Sequence, residues 1–117
     1  MTVLLVSGDL MSASRVEGAV RQAGANLRQV GSVDAAVDFC VSEMVPLVLV
    51  DLATAGLNVA ELVAGLKSNG ERPPAIVAYG PHVHEAALEA AQAAGCDAVL
   101  SRGQFMSQAA AIVAQFV

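Results

Sequence analysis

The sequence predicts a doubly wound α/β domain, (βα)5, with a parallel five-stranded sheet over residues 1–117. Three observations predict it. Five short β-rich runs alternate with five longer runs of helical periodicity. The first, third and fourth strand runs are almost unbroken apolar stretches, as expected of strands covered by helices on both faces. The helical runs are bounded by residues that start or stop helices, such as Ser32, Asn58, Gly24 and Gly95. A length of 117 residues suits one domain, and 56% hydrophobic content excludes a disordered chain.

The strand runs are Thr2–Ser7, Leu27–Val30, Pro46–Asp51, Ala75–Tyr79 and Ala98–Ser101. Between the first two, Leu10–Ala23 carries Val16, Ala19, Val20 and Ala23 on one face and stops at Gly24. Ser32 precedes a second helix striped by Val33, Ala36, Val37 and Cys40. Asn58-Val59-Ala60-Glu61 reads as a capping box, with Asn58 accepting from the Glu61 backbone and Glu61 reaching back. Val59, Leu62, Val63 and Leu66 then face the sheet. Pro81 to Ala94 predicts an Ala-rich helix closed by Gly95. Phe105, Ala109, Ile112 and Phe116 stripe the last helix.

Parallel strands are joined by right-handed crossovers, and the expected strand order is 2-1-3-4-5. Sites in such sheets lie at the carboxyl ends of the strands, beside the switch point between strands 1 and 3. Asp9 and Asp51 therefore fall in one crevice.

Composition narrows the partners. A net charge of −5 with six basic residues argues against nucleic acid and against a membrane-surface patch. No stretch approaches the roughly 18 apolar residues of a membrane span, and the N-terminus lacks the basic region of a signal peptide. Cys40 and Cys96 lie far apart and read as free buried thiols, which fits a cytoplasmic location. VSGDLMSAS holds one glycine, so it is no dinucleotide fingerprint. No G-x-S-x-G elbow appears. Four aromatics in the chain leave little for flavin stacking. The expectation is a non-enzymatic protein.

VLLVSGD, LVLVDLATAGL and AGCDAVLSRGQF together resemble the three blocks of a response-regulator receiver domain of two-component signalling, a flavodoxin-like fold. The resemblance spans essentially the whole chain. It implies phosphoryl transfer from a histidine kinase to the Asp that ends the third strand, here Asp51. It also implies Mg²⁺ held by an acidic pair at the end of strand 1, because the charge of an attacked phosphoryl group must be offset. That pair falls on Ser7 and Gly8, with Asp9 one residue further. The Thr or Ser expected after strand 4 falls on Tyr79, counting from Pro74, or on Gly80, counting back from Gly95. The Lys-Pro after strand 5 is Arg102-Gly103. The aromatic switch position is Val99.

The reading is therefore a degenerate, pseudo-receiver type of domain, a phosphorylation-independent protein-interaction module. The rival reading is a phosphoacceptor on Asp51 working in a phosphorelay, and a third is a small-ligand binder in the same crevice. Asp51 is otherwise a strand-end carboxylate paired with Arg102, and Asp9 a helix cap. Asp9, Arg102 and Tyr79 line the crevice. Asp9 and Asp51 would hold Mg²⁺ weakly at best, and no other cofactor is expected. His82-x-His84-Glu85 lacks the geometry of a metal site and reads as a helix entry or a recognition surface. The last helix carries more apolar residues than one stripe needs, which makes Phe105, Val113, Phe116 and Val117 an expected interaction surface. The expected partner is another copy in a homodimer, or a histidine kinase or effector.

Overall fold

The computed structural model describes residues 1–68, 70 and 72–117. Five strands and five helices alternate: β1 (Thr2–Val6), α1 (Leu10–Gln22), β2 (Asn26–Val30), α2 (Val33–Ser42), β3 (Leu47–Asp51), α3 (Val59–Lys67), β4 (Ala75–Gly80), α4 (Glu85–Ala94), β5 (Ala98–Ser101) and α5 (Arg102–Phe116). The sheet is parallel, in the order β2-β1-β3-β4-β5. Fold class and strand order are as the sequence predicts.

Strand alternation splits the core into two layers. On one face Val3, Leu5, Leu47, Leu49, Val77 and Tyr79 pack with Val16 and Val20 of α1 and Phe105, Ile112 and Val113 of α5. On the other, Leu4, Val6, Val48, Val50, Ile76 and Ala78 pack with α2, α3 and α4. All five residues of β3 are buried. Each such Val or Leu contributes about 1.5–3 kcal/mol on leaving water, so this central strand anchors the position of Asp51 at its end.

Several boundaries depart from expectation. The fourth helix starts at Glu85, not Pro81, because His82 and Val83 form a turn and His84 caps without a side-chain bond. It ends on Gly95 in the left-handed region, φ 96°, which a side chain would strain. Asn58 accepts from the Glu61 amide at 3.1 Å, but Glu61 returns no bond, so the expected capping box is half formed. The complete box lies at Ser101 and Gln104, where β5 passes directly into α5.

The surplus on α5 is also resolved. Phe105 and Val113 are fully buried, and Met106, Phe116 and Val117 pack against the same core layer. The expectation of an apolar surface made by Phe105 and Val113 is corrected: α5 covers α1 as well as the sheet, so it needs two apolar faces. Cys40 is buried and Cys96 half-buried, and burial pushes both thiols up from their ordinary pKa. No helix among the described residues is long and apolar enough to cross a membrane.

Candidate functional site

The site is the corner where β1, β3 and β4 end. Ser7, Asp51 and Tyr79 share the parity of Leu5, Leu49 and Val77, so all three lean towards α1 and α5. Asp51 is 2% exposed. Ser7 Oγ donates to Asp51 Oδ2 at 2.8 Å, and the Ala53 amide donates to Oδ1 at 3.0 Å. An Arg102 terminal nitrogen stands 3.7 Å from Oδ1, with its side chain 40% exposed. The pairing of Asp51 with Arg102 is therefore real but loose, and Ser7 is the closer partner.

Ser7 does more than face Asp51. Its Oγ accepts from the Asp9 amide at 3.1 Å, so a chain of bonds runs from Asp9 N–H through the Ser7 hydroxyl to Asp51. Gln29 on β2 donates to the Ser7 carbonyl at 2.9 Å and the Asp9 carbonyl at 3.3 Å. On the far side Thr54 Oγ1 donates to the Asp51 carbonyl at 2.7 Å. The turn Ser7-Gly8-Asp9 is thus held from two neighbouring strands, β2 through Gln29 and β3 through Asp51. Gln29 and Thr54 are not among the expected site residues; their one sequence signal is a polar side chain near a strand's carboxyl end, Gln29 as the next-to-last residue of β2 and Thr54 three places after β3.

Asp9 behaves as a helix cap. Its carboxylate accepts from the Met11 amide at 2.9 Å and from Ser12 Oγ at 3.1 Å. The Met11 bond, with Ser12 and Arg102 assisting, holds its carboxyl below the usual range. Both acids are near one crevice, as expected, but their oxygens serve different neighbours.

Tyr79 occupies the place counted from Pro74, and its hydroxyl does not enter the crevice. The ring is fully buried and stacks on Phe105, centroids 4.4 Å apart and planes 3° from parallel. Burial first, then the nearby Asp51 charge, pushes the phenol up to about 12. Gly80 takes the other counted place; a Cβ there would sit 3.2 Å from Leu52 Cβ. Neither position offers a short hydroxyl to a phosphoryl group. Val99 is a half-buried aliphatic contact of the second core layer.

His82 and His84 are exposed, flanking Val83, which is 69% exposed. Among the described residues no group of three or more His, Cys, Asp or Glu side chains could hold a metal. A magnesium ion asks for carboxylates converging on one point. Ser7 and Gly8 supply none, and the Asp9 carboxylate is turned onto α1, which leaves Asp51 and Asp9 as a site that would hold the ion weakly at best, with waters completing its shell. A hollow of about 430 Å³ lies at the opposite end of the strands among Cys40, Met44, Arg72 and Pro74, away from these residues.

Solved structures similar to this chain include response regulators and receiver domains. The receiver domain of the sensor histidine kinase PA1611 from Pseudomonas aeruginosa PAO1, with magnesium coordinated in its active-site cleft, aligns with a TM-score of 0.81 at 20% identity, over 98% of this chain and 95% of that one. A response regulator from Hahella chejuensis aligns with a TM-score of 0.81 at 17% identity, over 99% and 94%. One from Thermotoga maritima gives 0.80 at 16%, over 98% and 95%. No protein-family model and no curated protein matches the sequence. The chain has the fold of a response-regulator receiver domain.

Proposed function

We propose that this chain is a receiver-like signalling domain that works without phosphorylation, as a protein-interaction module. The observation that carries this reading is the bond from Ser7 Oγ to Asp51 Oδ2. A hydroxyl donor stands where the resemblance implies a metal-holding acid. A carboxylate that accepts one hydrogen bond on each oxygen, from Ser7 and Ala53, and faces Arg102 is held and stabilised as an anion, which lowers its nucleophilicity. Among the described residues no three acids converge to hold a cation that would offset the charge of an incoming phosphoryl group.

A module without a chemical switch presents a fixed surface. Tyr79 is locked against Phe105, and Val99 has no ring to rotate. The exposed turn His82-Val83-His84 and the adjoining hollow of Glu89, Gln92, Ser101 and Gln104 form the candidate recognition surface. Its partner is a protein: a histidine kinase, an effector, or another copy. Self-association through Phe105 and Val113 has lost its basis because both are buried. The reading includes a cytoplasmic location and no enzymatic activity.

The test is to mix the protein with Mg²⁺ and acetyl phosphate and weigh it intact. The expected result is an unchanged mass. Addition of one phosphoryl group, abolished by Asp51→Asn, overturns the reading in favour of a phosphoacceptor.

A further inference from the structure

The amino ends of the strands carry an apolar rim, at the opposite end of the sheet from Asp51. Of the six large apolar side chains exposed among the described residues, three lie here: Met1, Val41 at the end of α2, and Met44 in the turn before β3, which is 80% exposed. The parallel register sets them level. Val3 pairs with Leu47, so Met1 stands beside Val45, each two places earlier. Contiguous exposed apolar groups of this kind mark association sites.

Beside Met44 opens the hollow of about 430 Å³, whose apolar lining includes Val41, Val45 and Pro74. A knob and a hole therefore share one surface. Glu43 and Arg72 line the same hollow, opposite in sign. Both are exposed, and neither joins an ion pair among the described residues. An occupant that fits brings an apolar knob, a cation for Glu43 and an anion for Arg72. A second copy of this chain brings all three, and a two-fold axis makes such a surface complementary to itself. The hollows at the other end suit a second copy less. Each chain carries a net charge of −5. The hollow of Asp34 and Glu61 and that of Glu89 hold acids with no Lys or Arg, so two copies repel there.

We propose that the rim at the amino ends of β3 and β4 is a self-association surface, on which a second copy docks across a two-fold axis. Met44 enters the partner's hollow, and Glu43 faces the partner's Arg72. The crevice at Asp51 and the turn His82-Val83-His84 then point away from the contact on both copies, so the dimer presents two recognition surfaces and binds bivalently. This surface is separate from the recognition surface and does not rest on whether Asp51 takes a phosphoryl group. A patch of a few side chains makes an interface below the roughly 1,200 Å² of stable complexes, so the dimer is a weak one.

The test is sedimentation velocity on the full chain from about 5 to about 500 μM, the range in which weak interfaces form. The average mass should rise from 11.9 kDa towards twice that value. Met44→Asp, at a position the core does not use, should raise the dimer Kd at least about tenfold. Glu43→Lys sets a cation against the partner's Arg72 and should weaken the dimer as well; a cation at the end of α2 suits the helix dipole, so the fold tolerates it. Glu43→Lys combined with Arg72→Glu should restore the parent Kd. Val83→Asp, in the recognition turn, should leave it unchanged. A strict monomer at the highest concentration, assembly that grows past two copies, or a double charge swap no tighter than Glu43→Lys alone overturns the proposal. A dimer lost in Val83→Asp and kept in Met44→Asp overturns it too, by placing the second copy on the recognition surface.

Discussion

Ser7 and Asp51 are 44 positions apart in the chain, and their side-chain oxygens are 2.8 Å apart in space, the Ser7 hydroxyl donating to the carboxylate. Because Ser7 Oγ also accepts from the Asp9 amide, one atom sets both the turn after β1 and the orientation of the buried acid. Ser7→Ala leaves a buried carboxylate oxygen and a backbone N–H without this partner. Hydrogen bonds to charged groups contribute about 1.5–3 kcal/mol, so urea unfolding should show a loss in that range with an unchanged m-value. A loss below about 0.5 kcal/mol would mean that water replaces the hydroxyl freely.

The contact of Asp51 with Arg102 should be weaker than its contact with Ser7. At 3.7 Å and with Arg102 40% exposed, solvent screening holds the expected coupling below about 1 kcal/mol. Two double-mutant cycles decide the order, Asp51→Asn with Ser7→Ala and Asp51→Asn with Arg102→Ala. Equal couplings, or a larger one for Arg102, would show that the ion pair fixes the acid.

The fold was legible because its signals are local. The apolar run that ends in Asp51 predicts a doubly covered strand, and Gly24 and Gly95 mark helix ends. The site was legible only as positions. Nothing in Ser7-Gly8-Asp9 announces a hydroxyl aimed at a residue 44 places on; that depends on the strand order and the parallel register. Tyr79 did carry a readable signal. Period-two alternation with Val77 sends its ring to the α1 and α5 face, although its place after strand 4 suggested the crevice. Val113 is buried because α5 packs on α1 as well as on the sheet, a second neighbour that the stripe on α5 alone does not reveal. The Ser101–Gln104 box spans a strand–helix junction without a loop, where loop residues would ordinarily flag a helix start.

Tyr79 makes stability fall at high pH. Its folded pKa of about 12 stands above the ordinary phenol value of 10, so folding favours the protonated phenol. The contribution is complete below pH 10 and is lost as the pH rises from 10 through 12. The full loss is on the order of 1–3 kcal/mol. Burial also pushes the thiols of Cys40 and Cys96 up, so the comparison is with Tyr79→Phe, which removes the phenol alone. At pH 7 that variant should be as stable as the parent, or slightly more, because the hydroxyl makes no hydrogen bond. Superimposable stability curves for the two proteins between pH 9 and 12 would place the alkaline loss elsewhere.

The acidic corner can be rebuilt to test what its loss means. A Cβ on Gly8 meets one atom within 4 Å, Thr54 Cγ2 at 3.8 Å, an ordinary contact. The backbone at Gly8 does not require glycine, since its φ is not positive. Ser7→Asp combined with Gly8→Asp therefore adds two carboxylates beside Asp51 without a steric penalty at Gly8. In EDTA the variant should be less stable than the parent, because it loses the Ser7 donor and gathers like charges around a buried acid. Mg²⁺ brings those carboxylates to one ion, and binding to the folded state alone stabilises it by mass action. At about ten times its Kd the ion returns roughly 1.4 kcal/mol, a rise of roughly 4–6 °C in Tm for a domain of this size. The parent, with Asp9 turned onto α1 and Asp51 held by Ser7 and Ala53, should show no comparable rise in the same titration. Calcium, which accepts looser oxygen geometry, serves as the control for general divalent screening. An equal magnesium response in parent and variant would show that Asp9 and Asp51 suffice as ligands, and the phosphoacceptor reading would then regain its metal.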